Sequence, residues 1–255
     1  MDIEYIRQKF PALKNGFTFM DNAGGSQILG TAIKNIQDYY LNYNVQLGAS
    51  YEVSANAGKA LLKSTEKVAN FINVSDYKEV IMGTSSTMLL RILSICISQN
   101  WTKGDEVIVT NTDHEANISC WKDLEKKGIL IKTWKVDPET LELNLEDLKS
   151  LLSSKTKLVA VSHCSNVLGT INPIKQIAEI VHDAGALICV DGVAFAPHRK
   201  VDVQDLDVDF YVFSWYKVYG PHLAVMYGKL ALLIGMPGIN HNFFKAEDVP
   251  YKFQP

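Results

Sequence analysis

The 255-residue chain lacks a long apolar run: its longest stretch, near Leu230 to Ile239, is broken by Gly235, Pro237 and Gly238. A bilayer-spanning helix needs about 20 apolar residues, so no membrane segment is expected. The start, Met1-Asp-Ile-Glu-Tyr5, has neither the basic region nor the apolar core of a secretory leader, which predicts a cytoplasmic protein. Charge of one sign is also missing. The net charge is −3 and the signs are interspersed, so neither a nucleic-acid stripe nor an acidic tail is expected. The four cysteines, Cys96, Cys120, Cys164 and Cys189, form no Cys-x-x-Cys pair, and no second histidine stands at a zinc-helix spacing from His114. No metal site is predicted. Cys96 and Cys189 lie inside apolar runs and read as buried thiols, and no cysteine is assigned a catalytic role. Neither G-x-G-x-x-G nor Gly-Lys-Ser/Thr occurs, which argues against nicotinamide and Walker-type nucleotide sites.

What the chain does contain is enough apolar material, 47%, for a sizeable core. Short β-branched runs alternate with helical patterns, the signature of a mainly parallel α/β sheet. The expected strands are Glu79–Met82, Glu106–Thr110, Ile129–Val136, Lys157–His163, Ala186–Asp191, Phe210–Ser214 and Leu223–Tyr227. The expected helices are Gln27–Asn42, Ala55–Ile72, Thr87–Gln99, Glu115–Lys126, Leu145–Leu152 and Pro173–Asp183. Pro173 suits a first helical position, and Gly128 and Gly185 suit helix ends. The fold class is therefore α/β: a three-layer αβα domain with about seven strands.

Ligands of such sheets bind beyond the carboxyl ends of the strands. His114, Asn166, Asp191 and Lys217 all fall at or just past such ends. An amine, a carboxylate and an aromatic ring placed this way can hold pyridoxal 5'-phosphate. The amine forms a Schiff base, the carboxylate keeps the pyridinium nitrogen protonated, and the ring stacks on the cofactor. Gly83-Thr-Ser85-Ser86-Thr87 joins a strand to a helix, where free N–H groups, the helix dipole and hydroxyls favour an anion. An ordinary helix cap explains the same residues. Asn166 reads equally as a turn residue. Lys217 is crowded by Trp215, Tyr216 and Tyr219, which would lower its amine pKa.

Taken together, these residues resemble the class V aminotransferase group of fold-type I pyridoxal phosphate enzymes, in particular its cysteine desulfurase-like branch. Five segments carry the resemblance, in order along nearly the whole chain. They are Met20-Asp-Asn-Ala-Gly-Gly25, Asp113-His-Glu-Ala-Asn117, Ser165-Asn-Val-Leu-Gly-Thr170, Val190-Asp-Gly192 and Phe213-Ser-Trp-Tyr-Lys-Val-Tyr-Gly-Pro221. The resemblance implies that Lys217 carries the Schiff base and moves protons at the substrate α-carbon. It implies that Asp191 pairs with the ring nitrogen, His114 stacks on the ring and Asn166 contacts the phenolate oxygen. Ser85, Ser86 and Ser214 would hold the phosphate, and Tyr216 stands where relatives often carry a phosphate-contacting histidine. It also implies a small amino-acid substrate and a homodimer.

Two departures stand out. Ala194 occupies a position where relatives commonly carry a glutamine or histidine near the phenolate. Family members are also longer, so residues 1–255 are expected to form the large, cofactor-binding domain with its N-terminal arm, without the C-terminal small domain, its substrate-carboxylate arginine or the mobile cysteine of desulfurases. The alternative to an enzyme is a cofactor-binding remnant that is weakly active or inactive and serves as a dimerising domain.

Overall fold

The computed structural model describes residues 2–254. Seven strands form one sheet: β1 (Val80–Gly83), β2 (Glu106–Thr110), β3 (Leu130–Trp134), β4 (Thr156–Ser162), β5 (Leu187–Asp191), β6 (Phe210–Ser214) and β7 (Ala224–Gly228). Their order is β1-β7-β6-β5-β4-β2-β3. Strands β3, β2, β4, β5 and β6 run parallel, and β7 is antiparallel to both of its neighbours, β6 and β1.

The helices are α1 (Ile3–Gln8), α2 (Gly30–Tyr43), α3 (Glu52–Phe71), α4 (Ser86–Ile97), α5 (Ala116–Lys122), α6 (Leu145–Leu151), α7 (Ile174–Asp183), α8 (Val203–Leu206) and α9 (Leu230–Gly235). Alternate residues of the central strands enter opposite cores, because successive strand side chains point to opposite faces. Ile108, Val159, Val161, Ile188 and Val190 join one core with Ile72, Leu148 and Ile177 from the α3, α6 and α7 side. Val107, Val109, Leu158, Ala160 and Cys189 join the other with Leu89, Leu93 and Trp121 of α4 and α5. Both faces of the sheet are covered, so its strands read as continuous apolar runs. Among the described residues no helix is long and apolar enough to cross a membrane.

The bounds of β2 and β6 match expectation, and the other elements differ at their ends. Helix α2 starts at Gly30 instead of Gln27, because the segment before it is tied to the lysine loop. Ser26 N–H donates to Tyr216 O at 2.8 Å and Leu29 N–H to Tyr219 O at 3.1 Å. Helix α5 does not continue to Lys126: the chain tightens into a 3₁₀ turn over Asp123–Lys127 and stops at Gly128, whose φ is 82°. Helix α4 likewise tightens after Ile97. Pro173 is the residue before α7 and not its first residue. Helices α1, α8 and α9, of 6, 4 and 6 residues, were not expected.

Candidate active site

The carboxyl ends of β4, β5 and β6 open onto a cavity of about 390 Å³. Ser85, Ser86, His114 and Asn166 line it, as do Asp191, Ser214, Tyr216 and Lys217. The fold therefore gathers all eight residues singled out in the sequence, from five segments, around one space.

Lys217 follows β6 in a single 3₁₀ turn, Trp215–Lys217. It is 8% exposed, and burial pulls its amine below the ordinary lysine range while the charges of Asp191 and Asp21 oppose that effect. The loop holding it is anchored. Ser26 Oγ donates to Tyr216 O at 2.9 Å and accepts from Tyr219 N–H at 2.7 Å. Tyr219 has a φ of 61°, a left-handed conformation that costs a non-glycine residue energy. That energetic cost is what the Ser26 clamp offsets.

Asp191 ends β5 and is 5% exposed. One of its oxygens accepts from Val193 N–H at 2.9 Å, and among the described residues no lysine, arginine or histidine nitrogen lies within 4.0 Å of it. Burial pushes its carboxyl up to about 6. Gly192 follows because nothing larger fits: a Cβ there would lie 2.1 to 2.2 Å from ring atoms of buried Tyr211.

His114 is exposed at the cavity. Its Nδ1 accepts from Ala116 N–H at 3.1 Å, which leaves the proton of the neutral ring on Nε2. Its neighbour Asp113 ties this segment to the sheet. One carboxylate oxygen accepts from Ser162 N–H at 2.7 Å and the other from Asn117 Nδ2 at 2.7 Å. Burial raises the Asp113 carboxyl to about 6, and the charge of Asp191 adds to the rise.

At the other end of the cavity stands the N-terminus of α4. Ser85 caps it, accepting from Met88 N–H at 3.1 Å, and Ser214 Oγ meets Ser86 Oγ at 3.1 Å. Tyr216 stacks on His222, with ring centroids 4.7 Å apart and planes 10° apart. Asn166 sits on the exposed side.

Other residues line the cavity that the sequence did not single out one by one; Ser162 and His222 carried no signal at all, whereas Thr87 and Gly24 stood inside quoted segments. Ser162 pairs in register with Asp191, and its buried hydroxyl lies beside the Asp113 carboxyl. His222, Thr87, Gly24 and Cys164 also line the cavity. Cys164 is half-buried and burial raises its thiol above the ordinary range, so it offers no ready thiolate. Cys96, Cys120 and Cys189 are buried, and burial raises each of their thiols as well.

The sequence model of the class-V aminotransferases matches residues 18–242. The chain belongs to the class-V aminotransferase family. Among curated relatives, the aminotransferase-like protein FGM3 of Gibberella zeae is 46% identical over 248 residues, covering 94% of this chain and 61% of its own length. The cysteine desulfurase-like protein ustD of Aspergillus flavus is 38% identical over 260 residues, covering 99% of this chain and 59% of its own length. The chain thus spans less than two thirds of the length of either. The crystal structure of the Escherichia coli cysteine desulfurase CsdA superposes with a TM-score of 0.87 at 27% identity, covering 100% of this chain and 67% of that one. The seven-stranded, mostly parallel sheet with flanking helices is the fold-type I architecture.

Class-V aminotransferases and cysteine desulfurases use pyridoxal 5'-phosphate, and the residues around this cavity fit that group. Asp191 is a buried carboxylate without a cationic partner, which a protonated ring nitrogen would supply. The α4 N-terminus, with the Ser86 and Ser214 hydroxyls beside it, suits a phosphate.

Proposed function

We propose that the chain is the cofactor-binding large domain of a pyridoxal phosphate enzyme of the cysteine desulfurase or class V aminotransferase type, acting on a small amino acid. Bound there, pyridoxal phosphate supplies an electron sink for charge developing at the substrate α-carbon. Lys217 would hold it covalently, and its lowered amine pKa favours the unprotonated form that attachment requires. Once freed by substrate, the same amine takes and returns the proton at the α-carbon. Asp191 would hold the ring nitrogen protonated, His114 would stack on the ring and Asn166 would contact the phenolate oxygen. Ser85, Ser86 and Ser214 hold the phosphate at the α4 N-terminus, with Tyr216 beside them.

The observation that carries this reading is the buried Lys217 amine sharing one cavity with the unpaired, buried Asp191 carboxylate. The test is turnover of L-cysteine and L-alanine, read as sulfide and keto-acid release, beside Lys217→Ala. Turnover lost in that variant supports an enzyme. Turnover equal in both proteins sinks the assignment of Lys217. Bound cofactor without turnover selects a second reading, a binding domain that is inactive by itself. That reading is motivated by the span of 61% and 59% of the two relatives' lengths.

Self-association belongs to the same proposal. Helix α2 has no buried residue, and Ile33, Ile36, Tyr40 and Leu41 are exposed on it. Sedimentation at micromolar concentration should give a homodimer, and a monomer would remove that part.

A further inference from the structure

A second chamber, also about 390 Å³, adjoins the first, and Cys164, Asn166, Val193, Ala194 and Lys217 line both. It equals in volume the space assigned to the cofactor, which is far more than the side chain of cysteine or alanine needs. Ala194 stands between the two. Its methyl group takes up little of the space that the two share.

The wall of the second chamber carries one guanidinium. Arg199 lines it, with His198 and Lys217 beside it, and among the described residues no aspartate or glutamate does. The chain has three arginines. Arg91 is paired with Asp123 at 2.7 Å, and Arg7 lies in the last turn of α1. Among the described residues, Arg199 has no carboxylate within 4.0 Å. It follows the turn after Gly192, in which Arg199 N–H donates to Phe195 O at 3.2 Å, so its place in the wall is set by the same turn that carries Asp191 and Ala194. A guanidinium presents a planar fork that matches a carboxylate. Phe195, Pro197, Ile171 and Val193 add apolar wall that suits the methylenes of a short chain, and Asn22, Ser165 and Asn166 add neutral polar groups.

We propose that the second chamber is a side-chain subsite and that Arg199 binds the anionic end of an acidic amino-acid substrate whose amine reaches Lys217. The inference rests on the reading of the first chamber as the cofactor site and names the substrate class for it.

The test uses isosteric pairs. The chain loaded with pyridoxal phosphate is titrated with L-aspartate, L-asparagine, L-glutamate and L-glutamine, and the change in visible absorbance gives each dissociation constant. At least one acid should bind about tenfold or more tightly than its amide, as a charge-assisted hydrogen bond implies. The preference should disappear in Arg199→Gln and survive in part in Arg199→Lys. Acid and amide binding alike in the wild-type chain, or a preference untouched in Arg199→Gln, overturns the proposal.

A second readout needs no cofactor. Phenylglyoxal modifies accessible arginines, and succinate should slow its reaction at Arg199 while leaving Arg7 unaffected, as mapped by mass spectrometry. Where the loaded chain is coloured, the amino-acid preference decides. Where no cofactor binds, the reading of the first chamber has failed, and protection by succinate decides alone: protection keeps the anion site, and none removes it.

Discussion

Asp191→Asn should stabilise the cofactor-free chain while damaging the cofactor site. The carboxyl is buried, and its pKa is raised from 3.8 to about 6. Burial disfavours the ionised form; the Val193 N–H and the charge of Lys217 only partly compensate. Because the folded value lies above the unfolded one, the folded chain keeps the proton longer as pH rises. Stability therefore falls between about pH 4 and pH 6 and stays low above that. At ~1.36 kcal/mol per pH unit, the loss reaches roughly 3 kcal/mol at pH 7.5. Asparagine keeps the acceptor for Val193 N–H and removes the charge. Burying its amide costs about 1 kcal/mol in return. The expected net gain is about 2 kcal/mol, with further relief for Asp113, whose carboxyl feels the Asp191 charge. Urea unfolding of the cofactor-free chain at pH 7.5 and pH 5 reads the effect. Asp191→Asn should be more stable at pH 7.5, and the difference should narrow at pH 5. Pyridoxal phosphate should reverse the ranking, because only the carboxylate can hold a protonated ring nitrogen. A cofactor-free variant no more stable than the wild type at pH 7.5 would refute the claim that Asp191 waits for a cation.

Three further outcomes follow from the geometry. Gly192→Ala puts a Cβ against the Tyr211 ring and should cost about 1–3 kcal/mol in thermal unfolding, together with loss of cofactor binding; an unchanged melting temperature would contradict the packing. Ser85→Ala removes the cap of α4, which should cost about 1 kcal/mol and weaken phosphate binding, so phosphate-dependent protection against unfolding should fall. In the folded chain Cys96, Cys120 and Cys189 should resist Ellman's reagent at pH 7.5, since all are buried with raised thiol pKa values; rapid labelling of any of the three would show that its burial is wrong.

The central strands were legible because the sheet buries both faces. Runs such as Glu106–Thr110 and Phe210–Ser214 are short, β-branched or aromatic, and bounded by polar turns, which favours a strand. Short helices were not legible: α8 has 4 residues, too few for a period to emerge. Ends misread where tertiary hydrogen bonds override local pattern, as at Ser26–Leu29, which the lysine loop captures before α2 can begin. In the site, charged and aromatic residues at strand ends announced themselves. Ser162 did not, because a serine inside a strand looks the same whichever way the fold turns it. Only its register with Asp191 puts it at the cavity. Asp113 was visible only as part of the His114 motif. Its bond to Ser162, 49 residues along the chain, is a product of the fold.

The most direct test of the whole account is the visible spectrum of the purified chain after incubation with pyridoxal phosphate and desalting, with Lys217→Ala in parallel. The account predicts a retained yellow band in the wild-type chain only, discharged by borohydride with the adduct mapped to Lys217. A folded wild-type chain that stays colourless, or an adduct on another lysine, would contradict it.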